Sequence, residues 1–182
     1  MNRVWITGFR SFELGIMGSH DPKKQVIDFA LKKVLEDSLG DSDDWLITGG
    51  QLGIEQWAIE AALQLEDQDE KIKVALMTPF TTFGEQWNEA NQAKLAELKG
   101  LVDFTAAVNQ GGYRDASQLK KYQRFMLEHT DEAIIFFDES ATESKVRFDY
   151  QAAKQFAQDH DYSVRLIDFD RLQDWANELE FK

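Results

Sequence analysis

Apolar and polar positions alternate in two different rhythms along this chain, and the rhythms take turns. Short apolar runs at Arg3–Thr7, Trp45–Thr48, Ile72–Thr78, Phe104–Val108, Ala133–Phe137 and Val164–Ile167 read as six strands. Between them lie segments with apolar residues three and four apart. Asp21-Pro22 opens the first, with Asp as N-cap and Pro at the first helical position. Ile27, Ala30, Leu31, Val34 and Leu35 then mark one helical face. In the second, Ile54, Trp57, Ala58, Ala61, Ala62 and Leu65 form a stripe whose small residues suit close packing on a sheet. Further helices are predicted at Trp87–Lys99 with Gly100 as its C-terminal cap, Ser117–His129, Lys145–Gln158 and Leu172–Leu179.

The run Ala133-Ile134-Ile135-Phe136-Phe137 is apolar throughout, as a strand buried on both faces must be. Strict β-α alternation around such strands predicts an α/β fold: a mostly parallel sheet with helices on both faces and right-handed crossovers. Pro22 and Pro79 fall at the expected element boundaries, with Pro79 ending the third strand. Asp41–Asp44 is a polar turn and Glu66–Lys71 a charged connection. No repeat, low-complexity tract or linker interrupts the pattern, so residues 1–182 are expected to form one domain.

Composition narrows the partners. The formal net charge is −13, which on average repels nucleic acid. The most basic segment, Tyr113–Arg124, carries four cations and one acid and reads as a solvated helix face. No apolar run reaches about 18 residues, so no membrane-spanning helix is expected. Met1–Ile6 lacks a signal-peptide pattern, and the chain has no cysteine for a disulfide, thiol nucleophile or thiolate metal site. A cytoplasmic protein is the plain expectation.

Ligands of open parallel sheets bind beyond the C-terminal strand ends. The richest such loop is Gly49-Gly50-Gln51-Leu52-Gly53-Ile54-Glu55, running from a strand into a helix. Its glycines permit close approach of a ligand to the backbone, and the helix N-terminus favours an anion. It lacks the Lys-Ser/Thr end of a P-loop and the Gly-x-Gly-x-x-Gly of a dinucleotide fingerprint. The plainer reading is a tight strand-to-helix turn.

Gly8 and Arg10 lie in the loop after the first strand, where a guanidinium can grip a phosphate or pair with Glu13 or Asp21. Glu55, in the first turn of its helix, can accept hydrogen bonds from ribose hydroxyls, act as a general acid or base, or simply complement the helix dipole. Gln51 can point an amide into the site. Pro79 and Phe80 follow the third strand, and Asp138 follows the fifth, where it contacts a ribose or caps the next segment. Phe9, Phe12, Phe80 and Phe83 either wall a base or pack the loops down. His20, His129 and His160 show no metal-ligand spacing, and no Gly-x-Ser-x-Gly elbow occurs.

Three motifs taken together, Thr7-Gly8-Phe9-Arg10-Ser11-Phe12-Glu13-Leu14-Gly15, Thr48–Ala58 and Thr78-Pro79-Phe80, resemble the YpsA-like proteins of the SLOG (Smf/DprA–LOG) superfamily. The resemblance spans nearly the whole chain. It implies a three-layer modified Rossmann fold and a site for a nucleotide or an ADP-ribose- or NAD-like derivative, with Gly8, Arg10, Gly50, Gly53 and Glu55 at the motif positions. It also implies a link to bacterial cell division and stress, hence a division-protein partner. LOG enzymes in the superfamily release a base from a nucleoside monophosphate. Here Thr48 replaces the Pro of their Pro-Gly-Gly-x-Gly-Thr-x-x-Glu motif, and Glu55 follows Gly53 by two residues. The resulting expectations are a nucleotide sensor, an N-glycoside hydrolase with Glu55 catalytic, or a division-control interaction module. The ligand, any reaction and a homo-oligomeric state stay open.

Overall fold

A computed structural model describes residues 1–66 and 72–180; residues 67–71, most of the expected charged connection, lie outside it. The elements run β1 (Arg3–Gly8), a 3-10 turn (Ser11–Leu14), α1 (Pro22–Ser38), β2 (Trp45–Thr48), α2 (Ile54–Glu66), β3 (Lys73–Phe80), α3 (Glu89–Leu101), β4 (Phe104–Asn109), α4 (Ser117–Glu128), β5 (Glu132–Phe136), α5 (Val146–Asp159), β6 (Ser163–Ile167) and α6 (Phe169–Glu180). The strands form one parallel sheet in the order β4-β3-β2-β1-β5-β6. Helix neighbours α6–α1–α2–α3 form one series and α4–α5 another. This is the expected three-layer, Rossmann-like α/β fold.

The sheet is built outward from β1, which is buried from Val4 onward, as is Phe9 just beyond it. Chain order moves from β1 through β2 and β3 to β4, then returns across the sheet through α4 to place β5 on the other flank of β1. Strand order therefore reverses at the β1/β5 boundary, the place where open α/β sheets leave room for a ligand between diverging loops. Side chains alternate across β1. A Cβ on Gly8 would sit 3.0 Å from Ile54 Cγ1, so Gly8 faces α2 and Thr7 faces the opposite layer. That same Cβ would meet Phe136 Cβ and its carbonyl oxygen at 2.6 Å.

Polar groups at the N-terminal edge of the sheet are spent on structure. Asp44 accepts from the backbone N–H groups of Asn2, Gly40 and Asp41, which hold its carboxyl below the usual range against the opposing effect of burial. Arg3 pairs with Asp131 at 3.1 Å, and the buried hydroxyls of Thr130 and Tyr162 bond at 2.8 Å. None of the helices among the described residues is long and apolar enough to cross a membrane.

Several boundaries depart from expectation. β3 continues through Pro79 to Phe80, because a missing N–H is tolerated at a strand end and the Pro79 carbonyl accepts from Asn109 Nδ2 at 2.7 Å. Gly100 lies inside α3 rather than capping it. The helix ends at Leu101, with an extended Val102 whose N–H reaches the Leu98 carbonyl, so no left-handed glycine is used. α3 starts at Glu89 because Asn88, not Trp87, supplies the cap, accepting from the Asn91 N–H at 2.8 Å. α6 starts three residues early, at Phe169, where Asp168 accepts from the Arg171 N–H. On α2, fully buried Ile59 joins the core face, whereas Trp57 is only half-buried, with Lys24 Nζ 5.2 Å from its ring centre.

Gly8→Ala is expected to lower stability by about 1–3 kcal/mol, because the added methyl overpacks the β1/β5 contact. Urea unfolding should show a lower midpoint with an unchanged slope.

Candidate functional site

The site grows from the turn between β2 and α2. Thr48, at the end of β2, is buried and its hydroxyl bonds the Ile6 carbonyl of β1. Gly49 follows, and here the absence of a side chain matters. A Cβ would stand 2.3 Å from Glu55 Oε1 and 2.6 Å from the Tyr122 hydroxyl oxygen. The glycine thus lets a carboxylate from one helix layer and a phenol from the other approach over the sheet edge.

Gly53 does a different job. It is the one glycine of the turn with positive φ, at 101°. Its Cβ would collide with backbone atoms of the first loop, 2.5 Å from Phe9 O and 2.6 Å from Ser11 N. The Ile54 N–H donates to the Phe9 carbonyl at 3.1 Å. Gly53 therefore clamps the start of α2 onto the loop that carries Arg10. Gly50 packs against α3, where a Cβ would lie 2.5 Å from Leu95 Cδ1, and its carbonyl accepts from buried Gln56 at 2.9 Å.

Glu55 is held at both oxygens. Thr7 Oγ1 donates to Oε2 at 2.7 Å and the Gln51 N–H to Oε1 at 3.1 Å. Burial pushes its carboxyl upward; those two hydrogen bonds and the Arg10 charge oppose the rise without cancelling it. The Gln51 side chain folds back, its Oε1 accepting from the Leu52 N–H.

Arg10 is loosely tied. Its Nη1 stands 3.8 Å from Glu13 Oε1, the ion pair expected from sequence, yet the guanidinium also stabilises the charged forms of Glu55 and Asp149. Asp149, in the first turn of α5, accepts from Gln123 Nε2 of α4 at 2.7 Å. Burial, reinforced by the Glu55 charge, raises its carboxyl to about 7; the Gln123 bond and Arg10 oppose that rise. Tyr122 of α4 is pushed well above its ordinary value by burial and by the charges of Glu55 and Asp149. One loop and three helices thus bring Arg10, Glu55, Tyr122 and Asp149 together.

Other sequence candidates lie elsewhere or serve the fold. Asp138 accepts from the Ser140 N–H and hydroxyl and from the Phe169 N–H at 3.0 Å, which ties the post-β5 loop to the start of α6. Phe9 is buried and stacks on Phe169 with ring centres 5.5 Å apart. Phe80 belongs to an aromatic cluster with Phe83 and Tyr113 at the β3/β4 end. Pro79, next to Phe80 in the chain, is held at this end through the Asn109 bond to its carbonyl. Phe12 is exposed on the first loop, and Phe148 is exposed next to Asp149.

Tyr122 and Asp149 are absent from the sequence candidates. Asp149 carries a usable signal: like Glu55, it is a carboxylate in the first turn of a helix that follows a strand adjacent to β1. Tyr122 carries none, because only the packing of α4 brings mid-helix residues to the crevice.

A parallel sheet whose order reverses beside β1 defines a Rossmann-like protein, and the charged cluster over the C-terminal strand ends at that reversal is its candidate site. The model of the YspA SLOG family matches residues 4–172, and the chain belongs to that family. A "UPF0398 protein" of Levilactobacillus brevis is 49% identical over 180 residues, covering 99% of this chain and 95% of that one. Proteins of the same name from Lacticaseibacillus casei and Leuconostoc citreum are 48% and 45% identical, each over 97% of this chain and 92% and 93% of theirs.

The raised Asp149 carboxyl has a stability consequence with a definite sign. The folded state holds a proton that the unfolded chain releases near pH 4, so this group's contribution to stability is greatest at low pH and is lost as pH rises toward about 7. In Asp149→Asn the decline between these limits should be shallower. The variant should melt higher than the parent at pH 8 and alike at pH 4, as thermal unfolding across that range will show.

Proposed function

We propose that the chain is a cytoplasmic sensor of a nucleotide or nucleotide derivative, bound over the β1/β5 switch point. Membership of the SLOG family supports nucleotide-related binding. The observation that carries the reading to this place is the convergence of Glu55 and the Tyr122 hydroxyl over Gly49, beside a half-buried Arg10 whose charge is felt by Glu55 and Asp149. Among the described residues, the ion pair that Arg10 gives up when it takes a phosphate is a loose one, 3.8 Å to Glu13. Phe12, exposed on the loop that carries Arg10, offers an aromatic face for a base; Phe148, exposed next to Asp149, has the Arg147 guanidinium over its ring.

A ligand at 100 times its Kd stabilises the fold by about 2.7 kcal/mol. ADP, AMP, NAD or ADP-ribose in that excess should therefore raise the melting temperature by several degrees. Arg10→Ala should abolish the rise while leaving the unliganded midpoint nearly unchanged. An unmoved midpoint across the panel would refute the reading.

The second reading, an N-glycoside hydrolase, is favoured by two carboxylates of raised pKa beside one another. Asp149 would hold a proton for the departing base, and Glu55 would offset the developing positive charge on the sugar or activate water. It predicts free base released from nucleoside monophosphates, with loss of about 100-fold or more in Glu55→Gln and in Asp149→Asn. Absence of release across the common monophosphates excludes it. The third reading, a division-control module, predicts full cellular activity from a folded Glu55→Gln variant, whereas the sensor reading predicts its loss.

A further inference from the structure

The hydrogen-bonding capacity left over at the crevice has a particular composition. Tyr122 Oη is buried and has no partner among the described residues, so a donor is held in the site at a cost. Asp149 uses Oδ1 on Gln123, and its Oδ2 has no recorded partner among the described residues. Each Glu55 oxygen holds one donor, and a carboxylate oxygen accepts two. The spare capacity is thus one phenolic O–H beside two carboxylates.

A phosphate does not fit that set, because Glu55, and Asp149 once ionised, would repel it. A sugar hydroxyl does: it is donor and acceptor at once, able to take the phenolic hydrogen bond and give its own proton to a carboxylate. Position agrees with chemistry. Arg10 is the cation whose charge reaches both carboxylates, and in a nucleotide the group covalently next to the phosphate is the ribose. Gly49 leaves the gap in which Glu55 and Tyr122 approach one another.

Resting on the nucleotide-derivative reading, we propose that Glu55, Asp149 and Tyr122 form its sugar end and bind the vicinal hydroxyls of a ribose. Tyr122 donates to the hydroxyl pair and the carboxylates accept from it, while Arg10 holds the adjoining phosphate. The site therefore selects ribose over 2-deoxyribose, and Tyr122 and Asp149 are its specificity residues.

The test is calorimetric titration of the full chain with ADP, 2′-deoxy-ADP, ribose 5-phosphate and 2-deoxyribose 5-phosphate. Each ribo form should bind at least about tenfold more tightly than its deoxy partner, the effect of losing one charge-assisted hydrogen bond. Tyr122→Phe should weaken the ribo forms and leave the deoxy forms nearly unchanged, so that the ratio collapses. Asp149→Asn should reduce the ratio in the same sense, with folding of both variants checked by circular dichroism. Equal binding of ribo and deoxy forms, or variants that weaken both alike, would overturn the sugar assignment and leave the nucleotide reading standing. If none of the four probes binds, both fall together.

Discussion

Everything at the C-terminal edge depends on where one carboxylate is held. Glu55 starts from the first turn of α2 but ends against Thr7, whose side chain faces the opposite helix layer. A carboxylate so placed needs donors, and it has them in the Thr7 hydroxyl and the Gln51 N–H. It also needs room over the sheet edge, which Gly49 provides by having no side chain. Once Glu55 lies there, its charge reaches the phenol of α4 and the carboxyl of α5. The two helix layers are thereby coupled electrostatically above β1.

The two ends of the sheet make an instructive contrast. At the N-terminal edge, Asp44, Asp131 and the Thr130–Tyr162 pair are bonded within the chain and tie strands together. At the C-terminal edge a buried hydroxyl stands without a partner among the described residues and two carboxyls are lifted above their ordinary range. Glu132, lifted by burial, and the unpartnered Trp5 Nε1 share one of these traits each, but neither is at a strand's C-terminal end. Polar groups arranged only for stability are normally satisfied. Groups left unsatisfied, with shifted protonation and gathered in a crevice, mark a place arranged for something outside the chain. The groove between α1 and α2, where Lys24 covers Trp57, lacks that signature.

Much of the fold is legible in sequence because the two periodicities are clean. Ala133–Phe137 announces a doubly buried strand, and Asp21-Pro22 announces a helix start. The boundaries that depart from expectation have two causes: a tertiary partner at Pro79, and local caps at Asn88, Val102 and Asp168 that set the ends of α3 and the start of α6. Pro79 stays in β3 because Asn109, thirty residues away, bonds its carbonyl. Gly100 looks like a cap, but α3 ends through an extended Val102 instead. Of the site, Arg10, Gly49 and Glu55 are visible because strand ends and loops draw attention to them. Asp149 shares with Glu55 a place in the first turn of a helix after a strand, whereas Tyr122 sits mid-helix and reaches the site only because α4 crosses back over the sheet. That long-range step leaves no local pattern in the residues themselves.

The glycines show the same division. Gly49, Gly50 and Gly53 read alike in sequence as a phosphate cradle, yet each serves a different contact. Gly49 opens the crevice, Gly50 admits Leu95, and Gly53 fastens α2 to the loop bearing Arg10. The central claim is that these contacts assemble one ligand site at the switch point. Backbone amide chemical shifts, followed by NMR while ADP-ribose is added, test it most directly. The account predicts the largest changes at Arg10, Gly49, Gln51, Tyr122 and Asp149. Changes concentrated on Lys24, Trp57 and Gln64 of the α1/α2 groove, or none anywhere, would contradict it.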